Sequence, residues 1–342
     1  MAVKRRRKHL RADQPFFASG VLAGQIVTTG MAAWLSLLNA GRPISQDGRV
    51  IEVSEFGTNP GNLRMLAYAP NRRLVKGVPL IVVMHGCGQG AASFAKETGW
   101  IALAEQIGAA LVLPEQKSDN NRGRCFNWYR PGDVRRGTGE ALSVRQMIRT
   151  AIERYSADPK RIFIVGLSAG GAMAAALLAA YPTVFNAGAM VAGMPVGVAH
   201  SGAMALIRMH RADRLRGATA LAEAVRHAAP PSKSRIWPRL SIWQGSNDSV
   251  VDPANAECVA LQWCTLQGFA GAATSDTVPL PGVRRRVWSR HERAIIEFWT
   301  IAGLDHGFPI DASLPDGGRA GFGVVEAGVS AAAHIAKFWG LY

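Results

Sequence analysis

Runs dominated by apolar and β-branched residues recur along this chain at Val78 to Met84, Ala109 to Pro114, Ile162 to Val165, Ala187 to Val191, Leu240 to Gln244 and Ile295 to Ile301. Such runs predict strands covered on both faces. Between them lie helical stretches: Ala91 to Ile107, Glu140 to Tyr155, Ala169 to Tyr181 ended by Pro182, one beginning at Ala254, and a closing helix from Gly323 to Trp339. Ala157-Asp158-Pro159 reads as the turn before Ile162. Strands alternating with helices predict an α/β fold whose mostly parallel sheet has helices on both faces. Two further strands, Val50 to Phe56 and Leu63 to Ala69, precede it and are joined by the hairpin chemistry of G-T-N-P-G-N. Two stretches stand outside this rhythm. Residues 115 to 139 form a long polar loop anchored by Cys125, Trp128 and Tyr129. Residues 193 to 238, rich in Ala, Arg, His and Gly, read as a helical insertion that either covers a site or forms a peripheral subdomain.

The chain has 342 residues, 48% apolar and 18% charged, enough for one large α/β domain with a well-buried core. Its 39 basic and 24 acidic residues leave a formal charge of +15. That excess is spread along the chain without aromatics interleaved in a basic stripe, which argues against nucleic-acid binding and leaves attraction to anionic surfaces. The basic run K-R-R-R-K-H-L-R at residues 4 to 11 is followed by a stretch without formal charge from Gln14 to Gly41. Residues 1–45 therefore read as an export signal or a surface helix, too interrupted by Gln25, Thr28, Thr29 and Gly30 for a membrane span. Export would place residues 46–342 outside the cell or in the periplasm; otherwise they are cytoplasmic. Four cysteines, Cys87, Cys125, Cys258 and Cys264, lack metal-type spacing, so disulfides and reduced thiols are both open.

The chemistry is concentrated in R-I-F-I-V-G-L-S-A-G-G-A-M. A serine wedged between a buried strand and an Ala-rich helix is forced through a tight turn that lifts its hydroxyl out of the sheet, and this marks Ser168 as a nucleophile. A serine needs a base and a group to orient that base. Q-G-S-N-D-S-V-V-D-P-A-N follows a later strand and offers Asp248 and Asp252. Asp252 precedes Pro253 and fits a helix cap, which leaves Asp248 as the acid. His306, in the Gly-flanked loop after the strand ending at Ile301, is the base. Asp305 beside it is a competing acid, but adjacent side chains on an extended loop diverge. The oxyanion donors are expected to be the N–H groups of Ala169 and, in H-G-C-G-Q, of Cys87. His85 is expected to bond the loop backbone.

The ordered set H-G-C-G-Q, C-F-N-W-Y, R-G-T-G-E, G-L-S-A-G-G-A-M, Q-G-S-N-D-S-V-V-D-P-A-N and D-H-G-F-P resembles the poly(3-hydroxybutyrate) depolymerase family of esterases over residues 50 to 340. The resemblance implies an α/β-hydrolase fold and a secreted serine esterase without a cofactor. Its triad falls by motif position on Ser168, Asp248 and His306. It also implies a disulfide between Cys87 and Cys125, which would brace the oxyanion loop against the long loop. Gln89, Asn127 and Trp128 are the expected substrate-binding residues, with core packing the alternative for Trp128. The substrate implied is a hydroxyalkanoate ester, polymeric or oligomeric. A feruloyl or acetylxylan ester is the alternative, and a peptidase on the same fold a more distant one. One departure is His306-Gly307-Phe308-Pro309, where the family usually has His-x-Trp-Pro.

Overall fold

A computed structural model of the chain describes residues 50–70, 76–232, 236–315 and 317–342; the N-terminal segment 1–45, read above as an export signal or surface helix, lies outside them. The apolar runs form β3 (Val78–Met84), β4 (Ala110–Glu115), β5 (Ala157–Leu167), β6 (Ala187–Val191), β7 (Arg239–Gly245) and β10 (Arg293–Ile301). These strands run parallel in the order β4-β3-β5-β6-β7-β10. β2 (Arg64–Tyr68) and β1 (Val50–Glu52) extend one side antiparallel, while β9 (Val283–Arg290) and β8 (Ser275–Leu280) extend the other, giving a ten-stranded sheet.

Alternating side chains send each strand into two cores. Leu80, Val82 and Met84 of β3 face α4 (Gly139–Tyr155), α5 (Ala169–Ala180), α7 (Ala218–Ala228) and α8 (Ala254–Leu266), whereas Ile81 and Val83 face α1 (Ala91–Glu97), α2 (Trp100–Ile107) and α9 (Ala331–Trp339). On this second face Trp243 of β7 and its register partner Trp299 of β10 stack with centroids 4.5 Å apart, a contact worth about 0.5–1.5 kcal/mol beyond burial. It clamps together the two strands that lead to Asp248 and His306. Arg239 donates to the carbonyls of Phe338 (2.6 Å) and Trp339 (3.1 Å), so a cation closes the C-terminal end of α9. Burial lowers its pKa to about 10.

Several elements depart from the periodicity. The expected helix from Ala91 to Ile107 is two, because Gly99 takes a φ of +81° and Thr98 turns its hydroxyl back to the Phe94 carbonyl at 2.6 Å. β5 begins at Ala157 and so absorbs the expected Ala157-Asp158-Pro159 turn. The loop from 115 holds a short helix, α3 (Pro131–Val134). The expected closing helix divides: Val324–Glu326 is a strand, β12, parallel to β11 (Phe308–Ile310), and only α9 is helical, capped by Ser330. β8 and β9 were not expected. β8 is exposed along its whole length, and in β9 the arginines mask an alternation in which Val283 and Val287 are buried.

The insertion is helical, as α6 (Gly202–His210) and α7, and it packs beside the strand ends rather than apart from them. Val198 and Leu221 meet Ala172 and Val251, four residues after Ser168 and three after Asp248, in one apolar cluster with Trp128 at its border.

Candidate active site

Ser168 occupies the turn between β5 and α5 with φ 55° and ψ −118°, a region that costs a non-glycine residue of order 1–3 kcal/mol. Its N–H donates to the Val191 carbonyl at 2.8 Å, and its own carbonyl accepts from Ala172 at 2.9 Å to start the helix. The turn is pressed against the end of β3. A Cβ at Gly170 would lie 2.4 Å from the carbonyl oxygens of both Met84 and His85, so only glycine fits.

The loop after β3 has most of its polar groups committed. Gly86 N–H donates to Gln89 Oε1 at 2.7 Å, Gly88 N–H to the Gly123 carbonyl at 2.8 Å and Gln89 N–H to the Gly86 carbonyl at 3.3 Å. Among the described residues no hydrogen bond takes up the N–H of Cys87 or of Ala169. Cys87 is joined to Cys125 by a disulfide, with Cα atoms 4.2 Å apart, and Arg124 donates to the Gly88 carbonyl. The loop is thus tied to the long loop by a covalent bond as well as by hydrogen bonds. His85 is fully buried between Gly86 O, 2.7 Å from Nδ1, and the Gln116 N–H, which donates to Nε2 at 3.1 Å. Both ring nitrogens serve the backbone, as expected, and burial lowers the pKa of the ring.

Asp248 follows β7 and His306 follows β10. Asp248 Oδ2 lies 2.8 Å from His306 Nδ1, with the two side chains 0% and 7% exposed. An ionised carboxylate only accepts, so the proton sits on Nδ1 and Nε2 carries the lone pair. Oδ1 accepts from the N–H groups of Val250 (2.9 Å) and Val251 (2.8 Å), and Oδ2 also accepts from Gln244 Nε2 (2.8 Å). Asp305 is occupied by other partners. Its Oδ1 accepts from the Ser249 N–H and hydroxyl and from the His306 N–H, lacing the acid loop to the histidine loop. Asp252 stands one residue earlier than expected, ahead of the cap position, which is Pro253; its side chain still accepts from the first N–H of α8, that of Ala254, at 2.9 Å, and holds the insertion through Ala212 N–H at 3.0 Å.

The family model described as Esterase PHB depolymerase matches residues 63–282. The chain belongs to that family. It is 36% identical over 298 residues to poly(3-hydroxyalkanoate) depolymerase C of Paucimonas lemoignei, covering 85% of this chain and 70% of that protein. It is 29% identical over 277 residues to feruloyl esterase B of Talaromyces funiculosus, covering 80% and 77%. Among solved structures, the acetyl xylan esterase from Aspergillus awamori superposes with a TM-score of 0.72 at 20% identity, over 86% of this chain and 99% of that one. The esterase therefore has an α/β-hydrolase fold and is a serine carboxylic ester hydrolase.

The expected substrate-binding residues of the esterase fall into two groups. Gln89 is buried and, besides holding Gly86, donates to the Phe322 carbonyl at 2.5 Å. Asn127 is buried too. Its N–H and its Nδ2 donate to Glu140 at 2.9 and 2.7 Å, and its Oδ1 accepts from Asn121 Nδ2 at 3.1 Å. Both amides hold loops. Trp128 is half-buried at the edge of the insertion cluster, edge-on to Tyr129. Sequence reasoning missed Gln116 and Glu140, on which the long loop hangs: Gln116 donates to Glu140 at 2.5 Å and to the Cys125 carbonyl at 3.1 Å. Glu140 closes the motif R-G-T-G-E, but it stands in the first turn of α4, where an acidic residue is ordinary, and its role appears only with its complete burial.

Proposed function

We propose that the esterase cleaves hydroxyalkanoate esters through an acyl-enzyme formed on Ser168. The 2.8 Å bond between Asp248 and His306 Nδ1, taken with the strained turn at Ser168, carries this reading. Ser168 Oγ attacks the ester carbonyl while His306 Nε2 takes its proton, and Asp248 stabilises the imidazolium. The N–H groups of Cys87 and Ala169 bind the oxyanion. His306 returns the proton to the leaving alcohol. Water then attacks the acyl carbon as His306 takes its proton, and the bond from that carbon to Ser168 Oγ breaks as His306 returns the proton to Oγ, which releases the acid. Gln89 and Asn127 position the walls of the site, and Trp128 contacts the acyl or alcohol part. Residues 46–342 act as one catalytic domain with the insertion at 193–238.

The relative named for poly(3-hydroxyalkanoate) supports polymeric or oligomeric hydroxyalkanoate as the substrate class. Relatives named feruloyl and acetylxylan esterase support a second reading, an ester of plant polysaccharide. The Cys87–Cys125 disulfide favours an oxidising compartment, hence export directed by residues 1–45.

Turnover of hydroxybutyrate oligomers, methyl ferulate and acetylated xylan, compared by kcat/KM, separates the two substrate readings; preference for methyl ferulate or acetylated xylan overturns the first. Ser168→Ala, His306→Ala and Asp248→Asn are each expected to lose on the order of 10⁴-fold in kcat and not to add when combined, because the three act as a unit. Retention of a tenth of the rate by any of them contradicts the assignment.

A further inference from the structure

Ser168, Asp248 and His306 all follow the C-terminal ends of parallel strands. At the opposite ends, where β6, β7 and β10 begin, the chain forms an open cavity of about 720 Å³. The volume is that of a small-molecule site. Its walls come from the turn between α5 and β6, the stretch from α7 to β7, the end of α8 and the turn between β9 and β10. Pro182, Phe185, Trp237 and Ile295 give it an apolar lining, and Ile236 on the same wall is 92% exposed, an apolar side chain left in water.

Three arginines, Arg239, Arg290 and Arg293, complete the lining, and no acidic residue shares it. Arg239 is spent on the C-terminal carbonyls of α9. The other two flank the turn His291-Glu292, whose φ values are 47° and 63°, and are register partners across it. Like charges directly opposite on an antiparallel pair destabilise it. Elsewhere on β9 such charge is balanced, since Arg284, Arg285 and Arg286 pair with Asp276, Glu297 and Glu257. Among the described residues neither Arg290 nor Arg293 is ion-paired, even with Glu292 between them. Arg290 gives one N–H to the Gln267 carbonyl at 2.7 Å, and Arg293 is exposed. Burial lowers the pKa of Arg239, and the charge of Arg293 lowers it further, as expected where positive charge gathers without a counter-ion.

We propose that this cavity is a second binding site, at the far end of the strands from Ser168, for an amphipathic carboxylate. The carboxylate lies between the guanidinium groups of Arg290 and Arg293, whose planar forks match it, and relieves their repulsion. The aromatic or alkyl body covers Ile236 and Trp237. The site is independent of which ester the triad cleaves.

2-Naphthylacetate is the probe, and 2-naphthylacetamide, uncharged and of nearly the same shape, is its control. Calorimetric titration of the full chain should show saturable binding of the acid with a Kd of about 1 mM or tighter, ordinary for a ligand of this size. The amide should bind at least about tenfold more weakly, and the acid should bind Arg293→Glu more weakly by at least the same factor. Ile236→Ser should weaken binding by at least about threefold. A carboxylate at position 293 would face Arg290, so that variant should melt no lower than the parent, and Arg293→Gln repeats the test without a new charge. Ester turnover by all three variants should match the parent. A probe held at the triad instead would inhibit ester turnover competitively and bind the Arg293 variants as tightly as the parent. That result, equal affinity for acid and amide, or no binding at all would each overturn the proposal.

Discussion

A carboxyl in the first turn of a helix is ordinarily held in its charged form by the N–H groups there. Glu140 occupies that position, yet burial, with Asp133 adding repulsion, raises its pKa from 4.5 to about 8 against the donors from Asn127 and Gln116. Between those two values the folded protein holds a proton that the unfolded chain has released. This group's contribution to stability is therefore complete below pH 4.5 and is lost as the pH climbs toward about 8, at a slope of up to about 1.4 kcal/mol per pH unit. Glu140→Gln should flatten that slope, as read from urea midpoints at several pH values across the window; parallel curves for the two proteins would refute it. Sequence reasoning proposes Ser168, Asp248 and His306 because each follows a strand and is bracketed by glycine or turn residues. It quotes Glu140 and Gln244 within the motifs R-G-T-G-E and Q-G-S-N-D but does not reach their roles, which are created by burial and by hydrogen bonds to Gln116 and Asn127 in the one case and to Asp248 in the other.

At the scale of elements, the same limit separates what periodicity reveals from what it hides. β3 and β6 are found to the residue because they are covered on both faces and therefore apolar throughout. The break at Thr98 and Gly99 is invisible to an apolar pattern that continues across it. β8 and β9 are missed because a strand wet on both faces, or one that sets three arginines between its two valines, has no apolar run to announce it. The disulfide follows from the family motifs, and its consequence is mechanical. It holds the loop carrying the Cys87 N–H to a segment whose regular structure is one short helix. Replacing both Cys87 and Cys125 by serine should lower stability by about 2–4 kcal/mol, as expected for a cross-link closing a loop of this length. The kcat should fall more than KM rises, because the donor acts on the transition state. A rise in KM alone would mean that the bridge shapes binding instead.

For the whole molecule, the parallel centre was legible from alternation alone, since each buried strand is followed by a helix and only one topology returns it to the same sheet. The spatial order was not, because nothing local says that β10 lies beside β7 rather than beside β9 alone. One feature of that sheet bears on how copies of the esterase meet one another. An open sheet ends in two rows of unpaired backbone groups that invite a second copy to add its own strands. Here β1 offers only three residues at one rim. At the other, β8 carries Pro279, which has no N–H to give, and Asp276, ion-paired with Arg284 of β9. Substituting valine at both Asp276 and Pro279 would leave a flat apolar ribbon, and concentrated solutions should then scatter more light than the parent at equal concentration; equal scattering would show that these residues do not guard the rim. Among the described residues the sheet is left open at both rims, yet the residues there discourage self-association, which matters most where many copies crowd together.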